Sequence, residues 1–473
     1  MAHRKNIRDA ASPGPAAVQS ASRPGAYHQV ALALTGLVLG LSLLKFGNPV
    51  IFEGKLPPPA SFQELIYFNW PLRWAWVLSA LVIALLLPLL RIPAGIPKWL
   101  LIAPLGWLAW QWVACADSIE PALSRLTVVH FTVAFTWFGL GALATRGDSQ
   151  SLVVWVGLGL GFCLVISAGF QQQFGGLEAQ REFAEKFLRS ELPADQQQAA
   201  EASGFRRILE TPEGRQKLLS KRIYSTLFYP NTLAGVILLL TPGLLAAAWF
   251  AFRNAFPLTR RLLPGLLLFG AALCLIWSGS KAGWLIALVQ IGCVILSSAI
   301  PPKWKQTIVV SVMVFGLAGL VVRNLDYFQR GATSVSARTD YWASAWQTFI
   351  ENPLTGTGPG TFGESYRARK AAESEMARLA HNDFIQQASD SGGIGFAGYL
   401  AFVGGACFWI WRKLGASGSP LALMTGLGVL GWLLQSLTEF GLYIPAIVWP
   451  AFFLLGVLCR EAANPIDTSQ AAV

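Results

Sequence analysis

Charge is what this chain has least of. Only 13% of its 473 residues are charged, against 54% apolar, and mean hydropathy is +0.49. A soluble domain of this length carries about 25% charged residues, so a water-soluble globular protein is excluded. Histidine is also scarce, with four in the whole chain. The six cysteines, Cys115, Cys163, Cys274, Cys293, Cys407 and Cys459, all fall inside apolar runs, and none forms a CxxC pair. They read as small buried apolar residues, not as disulfides or metal ligands. The glycine-rich stretch Asn352–Phe362 has no Gly-Lys-Ser/Thr after it and no strand before it. That excludes a nucleotide loop there and leaves a tight structural turn.

What the chain does have is apolar runs of about 18 residues or more, the length that crosses a bilayer core. They are continuous rather than alternating, which excludes a β-barrel. The fold class is therefore all-α: a polytopic integral membrane protein with about twelve transmembrane helices and two long outer loops. The expected spans are Val30–Phe46, Leu72–Leu90, Trp99–Ala116, Leu126–Ala144, Leu152–Phe170 and Asn231–Phe252, then Leu262–Trp277, Ala282–Ile300, Gln306–Val322, Ile394–Trp411, Leu421–Leu437 and Leu442–Leu458. With the N-terminus inside, every inner turn carries basic residues, from Arg91 and Lys98 to Arg460, while the short outer turns hold few. The formal net charge of +11 thus reads as a topology signal and not as a nucleic-acid footprint. Trp70, Trp99, Trp155, Trp249, Trp277 and Trp449 read as interfacial belts.

The chain divides into a disordered cytoplasmic tail (1–28, with His3 and His28), spans 1–5 (29–170), an outer helical loop (171–230), spans 6–9 (231–322), an outer catalytic loop (323–391), spans 10–12 (392–460) and a second cytoplasmic tail (461–473). The first apolar run has no small-residue cleavage site after it and reads as a retained anchor. In the first long loop, Phe183, Phe187 and Leu188 suggest one apolar helix face. Thr211-Pro212-Glu213 suggests a further helix start, with Thr as cap and Pro at the first position.

His381 is the one histidine expected on the outer side, just before a span; His130 falls within the fourth span. Imidazole suits acid–base work near neutral pH, although a lone histidine can also simply hydrogen-bond a loop end. Arg338 opens a helix through about Ile350, after a turn at Gly331–Ser336. Its planar fork suits a phosphate; the alternative is a surface ion pair with Asp340 or Glu351. Lys281 lies in the very short turn "WSGSKAGW", where a charge is either functional or snorkels to the interface.

Four segments, "RIYSTLFYPNTLAG", "SGSKAGWLIAL", "SARTDYWASAWQTFIENPLTGTGPGTF" and "AHNDFIQQASDSGGIGFAGYL", occur in the order and spacing of one family. Over about Arg222 to Leu400 the chain resembles the O-antigen ligase and O-antigen polymerase superfamily of bacterial membrane glycosyltransferases. The resemblance implies a C-type glycosyltransferase-like fold in the inner membrane, with its active site on the periplasmic side. It implies transfer of a glycan from a polyprenyl diphosphate, such as undecaprenyl diphosphate, to a hydroxyl of a glycolipid, glycan or protein. The implied setting is lipopolysaccharide or other polysaccharide biosynthesis in the cell envelope. His381 would be the base, with Arg338 also catalytic. Lys281, Arg222 and Arg338 would hold the diphosphate, and Asn382 and Asn231 would support them. The family usually has arginine where Lys281 stands, so the bidentate fork is lost there. The donor is already activated, so no cofactor is implied. No DxD motif or carboxylate cluster occurs in the outer loops, so no metal is expected. Membrane lipids are the other expected contact, and nucleic acid is not a partner. A ligase, a repeat-unit polymerase and a protein glycosylating enzyme all remain open. From other classes, a transporter of polysaccharide or lipid carrier competes, as does a non-catalytic assembly scaffold.

Overall fold

A computed structural model describes residues 25–463, except 56–57, 94, 146–147, 203–204, 211–214, 216–217, 330–332, 373 and 416–417. Among the described residues the regular structure is helical and no strand occurs. The first half runs α1 (Ala26–Lys45), α2 (Phe62–Tyr67), α3 (Leu72–Leu86), α4 (Trp99–Ala116), α5 (Pro121–Ala144) and α6 (Asp148–Gln171). Loop helices α7 (Leu177–Leu188), α8 (Ala194–Ala202) and α9 (Phe205–Glu210) follow. Next come α10 (Pro230–Ala251), α11 (Pro257–Ser278), α12 (Lys281–Ser297) and α13 (Pro302–Arg323). A second helical loop holds α14 (Leu325–Gln329), α15 (Thr333–Glu351) and α16 (Phe362–Arg369). The chain closes with α17 (Asp383–Tyr399), α18 (Gly405–Leu414), α19 (Pro420–Gln435) and α20 (Pro445–Ala463).

Ten helical segments among the described residues are long and apolar enough to cross a membrane, and α12 and α19 are shorter apolar helices. Their positions coincide with the expected spans. The largest difference is α17. Its helix starts at Asp383, eleven residues before the expected span, and continues through a π turn at Leu400–Gly404 into α18. The apolar count missed this extension because the added turns are polar and buried: Gln386, Gln387, Ser389 and Asp390 are all fully enclosed by protein.

Two helices form the axis. In α10, 78% of the most apolar window is buried, and in α20, 83%, whereas in α13 only 6% is. The outlying helix keeps its apolar side chains outward, as a lipid-facing helix does. Close helix approach is achieved with small residues. Gly36 and Gly40 of α1 face Gly157 and Gly161 of α6. A Cβ on Gly40 would stand 2.2 Å from the Gly157 carbonyl oxygen, and one on Gly161 would stand 2.4 Å from the Gly40 carbonyl oxygen. In α10, Pro242 has no N–H to give to the Leu238 carbonyl one turn back. Gln290 of α12 fills the vacancy, donating Nε2 to Leu238 O at 3.0 Å.

Several expectations change. His28 is not in a tail: it lies in α1, buried, with Nε2 3.0 Å from Ala144 O. Trp449 and Trp155 are not interfacial. Both are buried, and Trp449 stacks on Trp137 at 5.7 Å inside the bundle. Hydropathy cannot separate the two environments, because a Trp near a span end suits either. Cys163 is exposed, on the outer face of α6, and not buried. Of these three α7 residues only Phe187 is buried, while Phe183 and Leu188 are exposed. The expected helix start at Thr211-Pro212-Glu213 and most of both tails lie outside the described residues.

The glycine contact generates a stability prediction. Replacing Gly40 or Gly161 with Val should force α1 and α6 apart at a cost of about 1–3 kcal/mol. Thermal unfolding in detergent should show a lowered midpoint for either variant, whereas Gly106→Ala, where a Cβ meets nothing within 4 Å, should leave it unchanged.

Candidate functional site

The site is assembled on the short turn between α19 and α20, residues 436–444. Glu439 in this turn is the only charged residue between Lys413 and Arg460, and it is buried. A lone carboxylate in an apolar setting needs partners, and three converge on it. Arg338 of α15 donates Nη2 to Oε1 at 2.5 Å. Asn231 of α10 donates Nδ2 to the same oxygen at 2.6 Å. His381 approaches Oε2 with Nδ1 at 3.3 Å, a close contact whose alignment falls short of a hydrogen bond. Arg338 also donates Nε to the Thr438 carbonyl at 3.1 Å, so one guanidinium grips two successive residues of the turn.

Asn231 relays the cluster to a second guanidinium. Its Oδ1 accepts from Arg222 Nη2 at 2.7 Å, and Arg222 Nε donates to Ser278 O at 2.7 Å. Three residues beyond Ser278, Lys281 opens α12. Ser280 caps that helix by accepting from Gly283 N at 3.2 Å. The Lys281 ammonium lies over the Tyr327 ring, 3.8 Å from its centroid, and within electrostatic reach of Arg222 and Arg338. Its contact is thus a ring face, an attraction of about 0.5–2 kcal/mol, while the two arginines are held by oxygen acceptors.

His381 has a left-handed backbone, φ 52°. This conformation is uncommon for a residue with a side chain and persists only where the surroundings over-determine it. They do so here. Ala380 N–H donates to Gln386 Oε1 at 2.8 Å, and Asn382 caps α17 by accepting from Phe384 N and Ile385 N, both at 3.0 Å. The ring is stacked on Tyr341 at 5.7 Å and meets the edge of Phe440 at 4.7 Å. It remains 27% exposed, so it is gripped without being sealed off.

The turn carrying Glu439 is pinned to the same helix end. Asp383 donates its backbone N–H to Ser436 O at 2.8 Å and accepts from Leu442 N with Oδ2 at 3.1 Å. His130 of α5 stands 2.9 Å from Leu442 O. Below this the glycine-rich segment is the tight turn expected. It fits into a kink of α17 at Ser391–Gly392. Thr357 N and Gly358 N donate to the freed Ser389 and Asp390 carbonyls at 3.2 and 2.9 Å. Gly356 and Gly358 have φ of 63° and 108°, and a Cβ on Gly356 would stand 2.5 Å from Ser389 O. Only glycine satisfies both demands.

Burial pushes the Glu439 carboxyl up, but His381 and Arg338 beside it outweigh burial and hold it below the usual carboxylate range. Arg222 is shifted down from the usual guanidinium range, first by burial, with Glu439 opposing and Arg338 adding to the drop. Three cations and one carboxylate leave about two net positive charges with His381 neutral, which matches the two negative charges of a diphosphate diester.

The structure therefore brings Arg222, Asn231, Arg338 and His381 together around Glu439, with Lys281 beside them. The Asn382 side chain is occupied as a helix cap. The expected alternative for Arg338, a pair with Asp340 or Glu351, is wrong. Asp340 is two residues on and points to another side of the helix, and Glu351, about 20 Å further along it, pairs with Arg369 instead. Glu439 itself was missed. The available signal was its isolation: a single acid in 46 residues of apolar sequence is costly unless it is used.

Removing Glu439 should be severe. Glu439→Ala would leave the half-buried Arg338 without its counter-ion, a loss of about 3–5 kcal/mol, visible as a lowered unfolding midpoint in detergent. The carboxyl titrates below its ordinary value of 4.5 when folded. Its stabilisation is thus complete above about pH 4.5 and is lost as pH falls through the lower folded value. Below about pH 4.5 the parent should lose stability on acidification more steeply than Glu439→Gln.

Residues 266–400 match the family model described as O-Antigen ligase. No curated protein matches the chain. The match spans α11 to α17 and so includes Lys281, Arg338 and His381, while Arg222, Asn231 and Glu439 lie outside it. That match, over 135 of the 473 residues, supports the O-antigen ligase and polymerase superfamily of membrane enzymes of glycosyltransferase type.

Proposed function

We propose that the protein transfers a glycan from a polyprenyl diphosphate, undecaprenyl diphosphate in bacteria, to an acceptor hydroxyl at the outer face of the inner membrane. The observation that carries this reading is one buried carboxylate, Glu439, that meets Arg338, Asn231 and His381, with Arg222 joined to it through Asn231 and Lys281 close by. The acceptor is a hydroxyl of a glycolipid, glycan or protein. Glu439 beside Nδ1 favours the tautomer with its proton on that nitrogen. Nε2 is then the basic atom that takes the acceptor proton, and Glu439 stabilises the imidazolium that forms. The acceptor oxygen bonds to the anomeric carbon as the bond from that carbon to the diphosphate oxygen breaks. The electron pair leaves on the diphosphate, where Arg222, Arg338 and Lys281 meet the growing charge. Single displacement inverts the anomeric centre. The activated donor supplies the driving force, so no nucleotide enters.

Lys281 is the cation with the loosest hold, and that defines its role. An ammonium over a ring can swing to a phosphate at little cost, whereas Arg222 and Arg338 give up hydrogen bonds to do so. Lys281→Arg should retain activity, since the fork adds geometry that suits phosphate. Lys281→Ala should lose at least about tenfold, read as initial rate at matched protein levels. An alanine variant as active as the parent would remove Lys281 from the site.

The decisive experiment is transfer by the purified full-length protein, reconstituted with a polyprenyl diphosphate-linked glycan and candidate acceptors. His381→Ala should lower kcat by about 10²–10⁴ with donor affinity nearly unchanged, because the proton moves only in the transition state. His381→Gln should not recover, since glutamine hydrogen-bonds but takes no proton. Full activity in the glutamine variant would sink the role of His381 as base. Carrier translocation without transfer would replace the enzyme by a transporter.

A further inference from the structure

Residues at the end of α1, in the loop after it and at the start of α3 line an open cavity of about 250 Å³ that the chemistry above does not use. The part-exposed Trp70 supplies aromatic surface to it, backed by the buried Phe46 and Phe52, and Asn48, Asn69, Glu53 and Arg73 supply polar groups. The polar groups are only part-used. Asn69 Nδ2 donates to Asn48 Oδ1 at 2.6 Å, which leaves Asn48 Nδ2 and Asn69 Oδ1 with no protein partner among the described residues. Glu53 gives one oxygen to Leu72 N–H at 3.1 Å and keeps a second. The Trp70 indole N–H is spent on Leu65 O at 2.8 Å, so what Trp70 has left to offer is its ring. A tryptophan ring beside unspent amide and carboxylate groups matches a sugar, which has apolar C–H faces and a rim of hydroxyls that both donate and accept. The lining holds one carboxylate, Glu53, and one guanidinium, Arg73, so it presents no net positive charge to a diphosphate. The volume lies below the about 300–1,000 Å³ of drug-sized sites, which suits one sugar ring better than a chain.

The cavity is tied to the reaction centre by rings in contact. Phe52 stacks on Phe228 at 5.0 Å, Phe228 meets Tyr229 at 4.6 Å, Tyr229 meets Phe440 at 5.5 Å, and Phe440 meets His381 at 4.7 Å. Backbone bonds lock the same path: Phe228 N donates to Gly47 O at 3.3 Å and Ala446 N to Phe46 O at 3.1 Å. Arg378, in the segment that leads to His381, lies over the Phe52 ring at 5.7 Å. The path ends at the proposed base, the group that meets the acceptor, and not at Lys281 or Arg222.

We propose that this cavity is a saccharide subsite that binds a sugar unit of the acceptor glycan. The assignment to the acceptor rests on the glycan-transfer reading; the sugar binding itself does not. The test separates the two. Saturation-transfer NMR on the full-length protein in detergent, with a panel of methyl glycosides of envelope sugars, reads binding without any reaction. At least one glycoside should give a signal in the parent and in His381→Ala, and the signal should be lost in Asn48→Ala and in Asn69→Ala. Glu53→Gln keeps the acceptor for Leu72 N–H; it should fold like the parent and weaken the signal. In the transfer assay the same asparagine variants should raise acceptor KM about tenfold, with donor KM unchanged. No signal from any glycoside in the parent, or equal signals in parent and variants, overturns the subsite. A change in donor KM instead of acceptor KM overturns the acceptor assignment. Intact glycoside binding in a protein that shows no transfer leaves the subsite standing and removes the proposed reaction.

Discussion

A carboxylate buried at a membrane boundary is the constraint on which this arrangement depends. Left alone, Glu439 would cost several kcal/mol in desolvation. Arg338, Asn231 and His381 meet it, and each comes from a different helix end. Satisfying one charge therefore fixes α10, α15 and α17 relative to the turn between α19 and α20. Arg222 is drawn in through Asn231 and carries the constraint to Ser278 at the end of α11. The ion pair is a poor source of net stability, because attraction and desolvation nearly cancel. Its effect is positional: loss of any member leaves the others misplaced.

The apolar bundle supplies what the polar cluster cannot. The α1–α6 glycine contact and the buried axis of α10 and α20 set where the helix ends stand. Gln290 closes the gap that Pro242 opens in α10. Around α17 the same principle recurs, since a kinked helix leaves carbonyls unpaired and the glycine-rich turn provides their N–H partners. The result is a rigid floor of turn and kink beneath a histidine held in a conformation it would not adopt unaided. Rigid support of this kind is what proton transfer and charge stabilisation require.

The cluster's charge balance links this architecture to chemistry. Two guanidinium groups are committed to protein oxygens, while one ammonium rests on a ring. A diphosphate donor, which carries two negative charges and gains a third as it leaves, would thus meet two fixed charges and one adjustable charge. The uncommitted amides near Trp70 lie at the far end of a ring-to-ring path from His381, beside one carboxylate and one guanidinium.

Much of this was legible in the sequence, for clear physical reasons. Continuous apolar runs marked the helical membrane class and the positions of the long helices, because crossing a bilayer imposes length and polarity on a segment. His381, Arg338 and Lys281 could be singled out because few polar residues of their kind face the outer side of an apolar chain, whereas Arg222 and Asn231 came only through the family resemblance. The true partner of Arg338 could not be read, since Glu439 lies 101 residues away and only helix packing brings the two together. The burial of Trp155 and Trp449, the early start of α17 and the ring path from Phe52 to His381 were likewise invisible, because a local pattern does not distinguish lipid from protein as the surrounding medium. The sequence alone determined which segments are helices, that they suit a membrane, and which few side chains carry charge near their ends. Only the tertiary structure decided which of those side chains meet, because their meeting depends on contacts between helices far apart in the chain.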